Sequence, residues 1–181
     1  MRWNKEKLWY PICVPPLEKN LCTLTREEAQ AYFDWFLGVL PGRVEYLRSV
    51  CPGLDGSPES LLPLWEWFLQ TARIEKQPEH RFSLQTEYIL RDVGMYLGDV
   101  FARNCPGIYW GFFTEPKTDV FVNTPVLMGF EDRDYTPAFY AVFEPIHMAR
   151  VQAGKILRGQ AAPGDLLVLY QKWTRMLPKE M

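Results

Sequence analysis

Two histidines are the first residues of this sequence to consider for acid–base or metal chemistry. His147 follows Glu144 by three residues at a predicted junction between a strand and a helix, and His80 lies in a polar connector. A carboxylate beside an imidazole can exchange protons or share a metal ion. The sequence signals no third ligand and no paired serine or cysteine nucleophile. It therefore predicts no catalytic residue and no metal site, and a helix cap or a surface histidine is the simpler interpretation.

Carboxylates on one long helical segment offer a second possibility. Asp92 and Asp99 are seven residues apart and share a helix face, so a paired-carboxylate site is conceivable. However, Asp99 with Arg103 and Glu87 with Arg91 have the i, i+4 spacing of helix-surface ion pairs. Ion pairing explains these charges more simply than catalysis does.

Known motifs do not add an activity. The glycines form neither G-x-G-x-x-G nor a Walker loop, and both G-x-S-x-G and H-E-x-x-H are missing. The sequence therefore offers no nucleotide-binding fingerprint and predicts no cofactor. This lowers the expectation of catalysis without excluding it.

The composition excludes several classes of protein. The 181 residues are 48% hydrophobic and 23% charged with a net charge of −2, which argues against a disordered chain and a general nucleic-acid binder. Aromatic residues reach 15%. Such side chains build cores, but they also line clefts and partner surfaces. The candidates for a ligand-binding site are Trp65, Trp67, Tyr109, Trp110, Glu144 and His147.

The cysteines and the hydropathy pattern indicate a compartment. Cys13, Cys22, Cys51 and Cys105 show no C-x-x-C spacing, and we see no secretory signal. The apolar runs are far shorter than the roughly 20 residues of a membrane span. We therefore expect reduced thiols, a cytoplasmic location and no membrane partner.

Helical patterns dominate the first part of the chain. Residues 1–22 read as an irregular arm, rich in proline but with enough apolar residues to lie on the body. Thr25 and Glu28 have the spacing of a capping box, which predicts a helix. The Pro41-Gly42 pair predicts an interruption, with a second short helix up to Val50.

Two further helices follow. Ser57 or Ser60 could cap one helix, with Ser60 favoured, and Ser83 is the predicted cap of the longest, which spans about 84–104. Gly94 and Gly98 lie four apart within that longest helix, although each costs about 1 kcal/mol relative to alanine. We therefore predict that another element approaches this face closely, and the segment 108–114 is the first candidate.

The pattern then changes to a period of two. Residues 108–114, 119–123 continuing to 126–130, and 138–143 read as three strands of an antiparallel meander. Two helices follow, about 146–158 after Pro145 and a last one capped by Asp165. The order predicts one α+β domain over residues 1–181, with N-terminal helices, a long central helix, a small sheet and two C-terminal helices.

A resemblance covers residues 84–175. Val93-Gly94-Met95-Tyr96-Leu97-Gly98-Asp99-Val100, then Tyr109-Trp110-Gly111, Glu144-Pro145-Ile146, Arg150-Val151 and Asp165 to Tyr170 resemble a pattern in small uncharacterised bacterial proteins. Some domains of similar layout are immunity proteins of bacterial toxin systems. The segment from Leu24 to Phe36 is also similar to bacterial proteins of unknown role. These are packing residues, so the resemblance implies a bacterial origin but assigns no functional residue.

Three hypotheses about function remain. The first is a non-catalytic protein-binding protein of the immunity or accessory type, acting as a monomer or homodimer on a protein partner. The second is a small-molecule-binding protein or enzyme with an aromatic-lined pocket. The third is contact with nucleic acid through residues 150–181, where six basic side chains outnumber two acidic ones. That segment lacks aromatic residues interleaved at a spacing that would stack on bases, so nucleic acid is the least favoured partner.

Overall fold

The computed structural model describes residues 9–17, 19–75, 81–132 and 139–178. Within these ranges the chain forms five α-helices and two small antiparallel sheets, which confirms the predicted α+β class. The beginning of the predicted arm (1–8) and His80 lie outside the described residues.

The helix α3 (Leu84–Asn104) is the element against which most others pack. Ser83 caps it, with its hydroxyl accepting a hydrogen bond from the Thr86 amide, and it ends at the predicted residue. Its neighbours are α1 (Arg26–Val50), α2 (Leu61–Thr71) and α4 (Pro145–Leu157). Because these neighbours surround it, the middle of α3 is buried on nearly every side.

The helix α1 corrects two predictions. It runs unbroken through Pro41-Gly42, and its 25 residues make it longer than α3. A proline inside a helix removes one backbone hydrogen bond and leaves the carbonyl four residues earlier without its donor. Pro41 is exposed, and Leu37, which carries that carbonyl, is exposed too, so water can solvate the freed group. The capping box at Thr25 and Glu28 is present as predicted.

Residues before and after α2 also differ from expectation. Ser60 occupies the capping position without a side-chain cap, since its hydroxyl bonds instead to the Ser57 carbonyl and the Tyr96 hydroxyl. After α2, the connector contains two short strands, β1 (Ile74–Glu75) and β2 (Arg81–Phe82), which pair with each other. Two-residue strands are too short to show a periodic pattern.

The larger sheet has the order β3–β4–β5, formed by Tyr109–Gly111, Val126–Asp132 and Phe139–Phe143. Both pairings are antiparallel, so the predicted meander is confirmed. The predicted strand at 119–123 is wrong. Asp119 folds this stretch into a turn, because its carboxylate accepts from the Phe121 amide, and Asn123 takes a left-handed conformation with φ of 61°.

The C-terminal helices α4 and α5 (Asp165–Thr174) complete the fold. Asp165 is the first helical residue rather than the cap, and its carboxylate accepts from the Ala162 amide. Trp173 of α5 is half-buried, whereas other apolar residues at helical spacing are buried: Phe33, Phe36, Trp65, Phe68, Val93, Leu97, Val100 and Leu169.

The close approach predicted for the two helical glycines is present. A methyl group on Gly94 would lie 2.5 Å from the Ile146 Cα in α4, and one on Gly98 would lie 2.2 Å from Cζ2 of Trp110 in β3. The side of α3 that carries the two glycines therefore packs closely against α4 and β3.

Among the described helices, none combines the length and apolar character needed to cross a bilayer.

Candidate functional site

The two predicted tryptophans of α2 both pack against the hydrophobic core. Trp65 is fully buried and stacks on Phe68, with the ring centroids 5.0 Å apart. Trp67 is half-buried and packs against the same core. Trp65 therefore has no exposed face for a ligand entering from solvent, and Trp67 is accessible only in part.

The two predicted aromatic residues of β3 point in opposite directions, as neighbouring strand residues must. Trp110 faces inward, lies against Gly98 and packs edge-on against Phe36 at a centroid distance of 5.0 Å. Tyr109 faces outward and is 58% exposed. Only Tyr109 of this pair is available to a partner.

Glu144 and His147 are in contact at the start of α4, but the Glu144 carboxylate bonds to the His147 backbone amide and not to the imidazole ring. The Glu144 carboxylate accepts from the backbone amides of Ile146, at 3.2 Å, and of His147. The His147 ring is exposed and packs edge-on against Phe121 at 5.3 Å. This arrangement is a helix N-cap, in which the carboxylate satisfies otherwise unpaired amides.

The environment of Glu144 is nevertheless unusual. Burial raises the pKa of its carboxyl from 4.5 to about 7, and the two amide bonds and the Arg150 and Arg91 charges oppose this shift. A carboxyl with such a pKa can exchange protons near neutrality. Its neighbour Pro145 and the Trp110 indole both lie against Gly98. The structure thus brings Trp110, Glu144 and His147 to one region and leaves Trp65 and Trp67 elsewhere.

The carboxylates of α3 serve as ion-pair partners. Asp99 bonds to Arg103 at 2.7 Å as predicted, whereas Glu87 pairs with Arg150 of α4 instead of the predicted Arg91. Asp92 is buried and bound by Arg43 of α1. Within the described part of the chain, no group of three or more His, Cys, Asp or Glu side chains could hold a metal ion.

The outer face of the larger sheet is the most exposed aromatic surface of these elements. Tyr109 pairs with Met128, and Tyr140, which is 77% exposed, pairs with Glu131. Directly opposite residues of an antiparallel pair share a face, and alternation adds Val142 to it. We call Tyr109, Met128, Glu131, Tyr140 and Val142 the open sheet face.

The inner face of the same sheet is filled by aromatic packing. Phe130 and Phe143 contact both Phe101 of α3 and Trp173 of α5, with centroid distances between 4.7 and 6.1 Å for the contacts within this group. The sheet is thus covered by helices on one side, and two large tyrosines project from the other. This one-sided arrangement normally places polar residues on the outer face.

The sequence alone does not single out Tyr140 as a surface residue. In Phe139-Tyr140-Ala141-Val142-Phe143, alternation separates Tyr140 and Val142 from the other three residues. All five residues are apolar or aromatic, so the pattern alone does not show which set faces solvent.

A scan of the chain against protein-family models, curated proteins and solved structures finds no match.

Proposed function

We propose that this protein is a non-catalytic binding protein that recognises a protein partner through its open sheet face. The observation that carries the proposal is the exposure of Tyr109 and Tyr140 on one side of a sheet whose other side is packed. Tyrosine is enriched at protein interfaces because it offers a large rigid ring and a hydroxyl.

The backbone beneath these rings supports a stable recognition surface. The Met128 side chain lies over Gly111, where an added methyl group would come within 2.8 Å of its sulfur. Phe130 and Phe143 anchor the same strands to α3 and α5. Because the strands are anchored to the core, the surface loses little conformational freedom on binding, which favours affinity.

An aromatic-lined pocket is less well supported as the functional feature. Trp65 is closed to solvent, and both Glu144 oxygens accept backbone amides. The finer class that we propose is an immunity or accessory protein acting in the bacterial cytoplasm. It rests on the resemblance described above.

Site-specific photo-crosslinking tests the proposed surface. A photoreactive phenylalanine analogue would replace Tyr140, Tyr109 or, as a control, Val120, which is 85% exposed and outside the open sheet face. We expect one discrete adduct with another protein from positions 140 and 109 and none from position 120. The same adduct from all three positions, no adduct, or an adduct of twice the protein's own mass would contradict a distinct partner on this face.

A further inference from the structure

The described arm, residues 9–17, is held on α1 and α3 by a set of specific contacts. The Tyr10 ring is almost fully buried and packs edge-on against Tyr46, with a centroid distance of 5.1 Å. Its hydroxyl donates to Oδ2 of Asp92 at 2.5 Å. Burial, followed by the nearby Asp92 carboxylate, raises the pKa of Tyr10 well above its ordinary value, so the hydroxyl stays a donor.

Two arginines bind the backbone that follows Tyr10. Arg43 of α1 donates to the Pro11 carbonyl at 2.9 Å, and Arg91 of α3 donates to the Cys13 carbonyl at 3.0 Å. Carbonyls two residues apart point the same way in an extended chain and lie about 7 Å apart. Both arginines bind backbone carbonyls rather than side chains, and the two-residue interval between these carbonyls fits an extended segment.

The Asp92 carboxylate is positioned to accept a hydrogen bond from a tyrosine hydroxyl. Arg43 contacts both of its carboxylate oxygens, at 3.1 Å from Nε to Oδ1 and 2.6 Å from Nη2 to Oδ2. An acceptor fixed in this way selects a tyrosine over a phenylalanine, since the latter would leave it short of one buried hydrogen bond.

The rest of the arm is less buried than Tyr10. Trp9, Ile12 and Val14 are exposed, and Leu17 is half-buried against apolar side chains of the body, so Tyr10 is the one fully buried apolar side chain of the described arm. A segment with few buried apolar contacts opens locally at a lower free energy than the whole domain unfolds. We therefore expect the arm to detach without unfolding of the domain.

We propose that the groove between α1 and α3, formed by Arg43, Tyr46, Arg91 and Asp92, is a binding site for an extended peptide segment anchored by a tyrosine. In the structure the protein's own arm occupies this site. A partner segment with a tyrosine followed by an extended, proline-containing backbone binds there by displacing the arm. None of the residues of the open sheet face takes part, so this site is independent of the function proposed above.

A peptide in trans tests the proposal with the full-length chain. Tyr10→Ala removes the anchor of the arm, and the probe is a fluorescent peptide with the sequence of residues 9–17 and serine in place of Cys13. We expect saturable binding to the Tyr10→Ala variant. Binding should be at least tenfold weaker for the peptide with phenylalanine in place of tyrosine, and at least tenfold weaker to wild type, where the arm competes.

Two results would overturn the proposal. One is a Tyr10→Ala protein that unfolds cooperatively but binds neither peptide; the other is equal binding of both peptides. If the variant does not fold, amide hydrogen exchange of wild type decides instead. The Trp9 amide, which donates to the Gln85 side chain, should exchange at least tenfold faster than amides at the centre of α3, and excess tyrosine peptide should accelerate its exchange further. Exchange of the arm only through global unfolding would refute a displaceable segment.

Discussion

The Trp110 indole lies directly on the backbone of Gly98, so close that a methyl group there would come within 2.2 Å of Cζ2. This contact joins β3 to the central helix and lets the sheet sit against α3. Pro145 lies on the same glycine, where its Cγ would be 3.1 Å from the added methyl group. Because Gly98 has no side chain, both β3 and the start of α4 can pack against α3 at this position.

Alanine substitutions of the helical glycines should therefore destabilise the protein. Gly98→Ala meets a packed indole and Gly94→Ala meets the α4 backbone, so each should lower the free energy of unfolding by about 1–3 kcal/mol despite better helix propensity. Gly38→Ala in α1 is the matched control. An added methyl group there meets open space, so this variant should gain up to about 1 kcal/mol. Urea melts giving equal or higher stability for Gly94→Ala and Gly98→Ala would contradict the close packing.

Replacing Glu144 should change how stability depends on pH. Its pKa is raised from 4.5 to about 7 by burial, so the native state binds this proton more tightly than the unfolded state does. The contribution of this bound proton to the free energy of unfolding is fully present below pH 4.5 and is lost as the pH rises through 7. Relative to Glu144→Gln, wild type should lose up to about 3 kcal/mol across this range.

Chemical denaturation of both proteins at pH 4.5, 5.5, 6.5 and 7.5 measures this difference. Glu66→Gln, which alters an exposed carboxylate of α2, controls for the loss of one negative charge. A constant difference between wild type and Glu144→Gln over the whole range would show that the native carboxyl titrates as it does in the unfolded chain.

Removing Asp92 should be costly, because it would leave the Arg43 guanidinium without its buried partner. Breaking a buried ion pair in this way typically costs about 3–5 kcal/mol, and Asp92→Ala should lose that amount in a urea melt. Asp34→Ala on the exposed side of α1 is the control and should stay within about 0.5 kcal/mol of wild type. Equal midpoints for the two variants would mean that the Arg43–Asp92 contact contributes no stability.

The cysteines should separate into two classes by reactivity. All four thiols are free; Cys22 is exposed and Cys13 half-buried, whereas Cys51 and Cys105 are buried. Burial also raises the pKa of Cys51 to about 11, which disfavours the reactive thiolate. A thiol reagent at pH 8 should label two cysteines in the native protein and four in denaturant, and a reductant should leave Tm unchanged. Four rapidly labelled native thiols would contradict the burial of Cys51 and Cys105.

The sequence predicted features that depend on local chemistry. The caps at Thr25 and Ser83 were found because capping requires only a few neighbouring residues. The glycine pair predicts a close neighbour, because glycine inside a helix lowers stability unless something needs the space. The second neighbour of α3, Ile146, could not be predicted, since it depends on how α4 crosses α3.

Features that depend on distant partners were not predicted. The sequence places Asp92 on one helix face with Asp99, but it cannot show the partners Tyr10 and Arg43, which are 82 and 49 residues away in sequence. Pro41 predicts a helix break from sequence, because the solvent exposure that makes it tolerable in α1 depends on the tertiary structure. The open sheet face also needed the strand register, because the sequence of β5 is apolar on both sides.

The dissociation constant for the protein captured by crosslinking at position 140 tests the central claim most directly. Titration calorimetry would compare wild type, the Tyr109→Ser/Tyr140→Ser double variant, and a Val120→Ser/Val168→Ser control that alters two exposed residues elsewhere. We expect the double tyrosine variant to fold normally and bind at least tenfold more weakly, while the control binds like wild type. A double tyrosine variant that binds the captured protein as tightly as wild type would contradict recognition through the open sheet face.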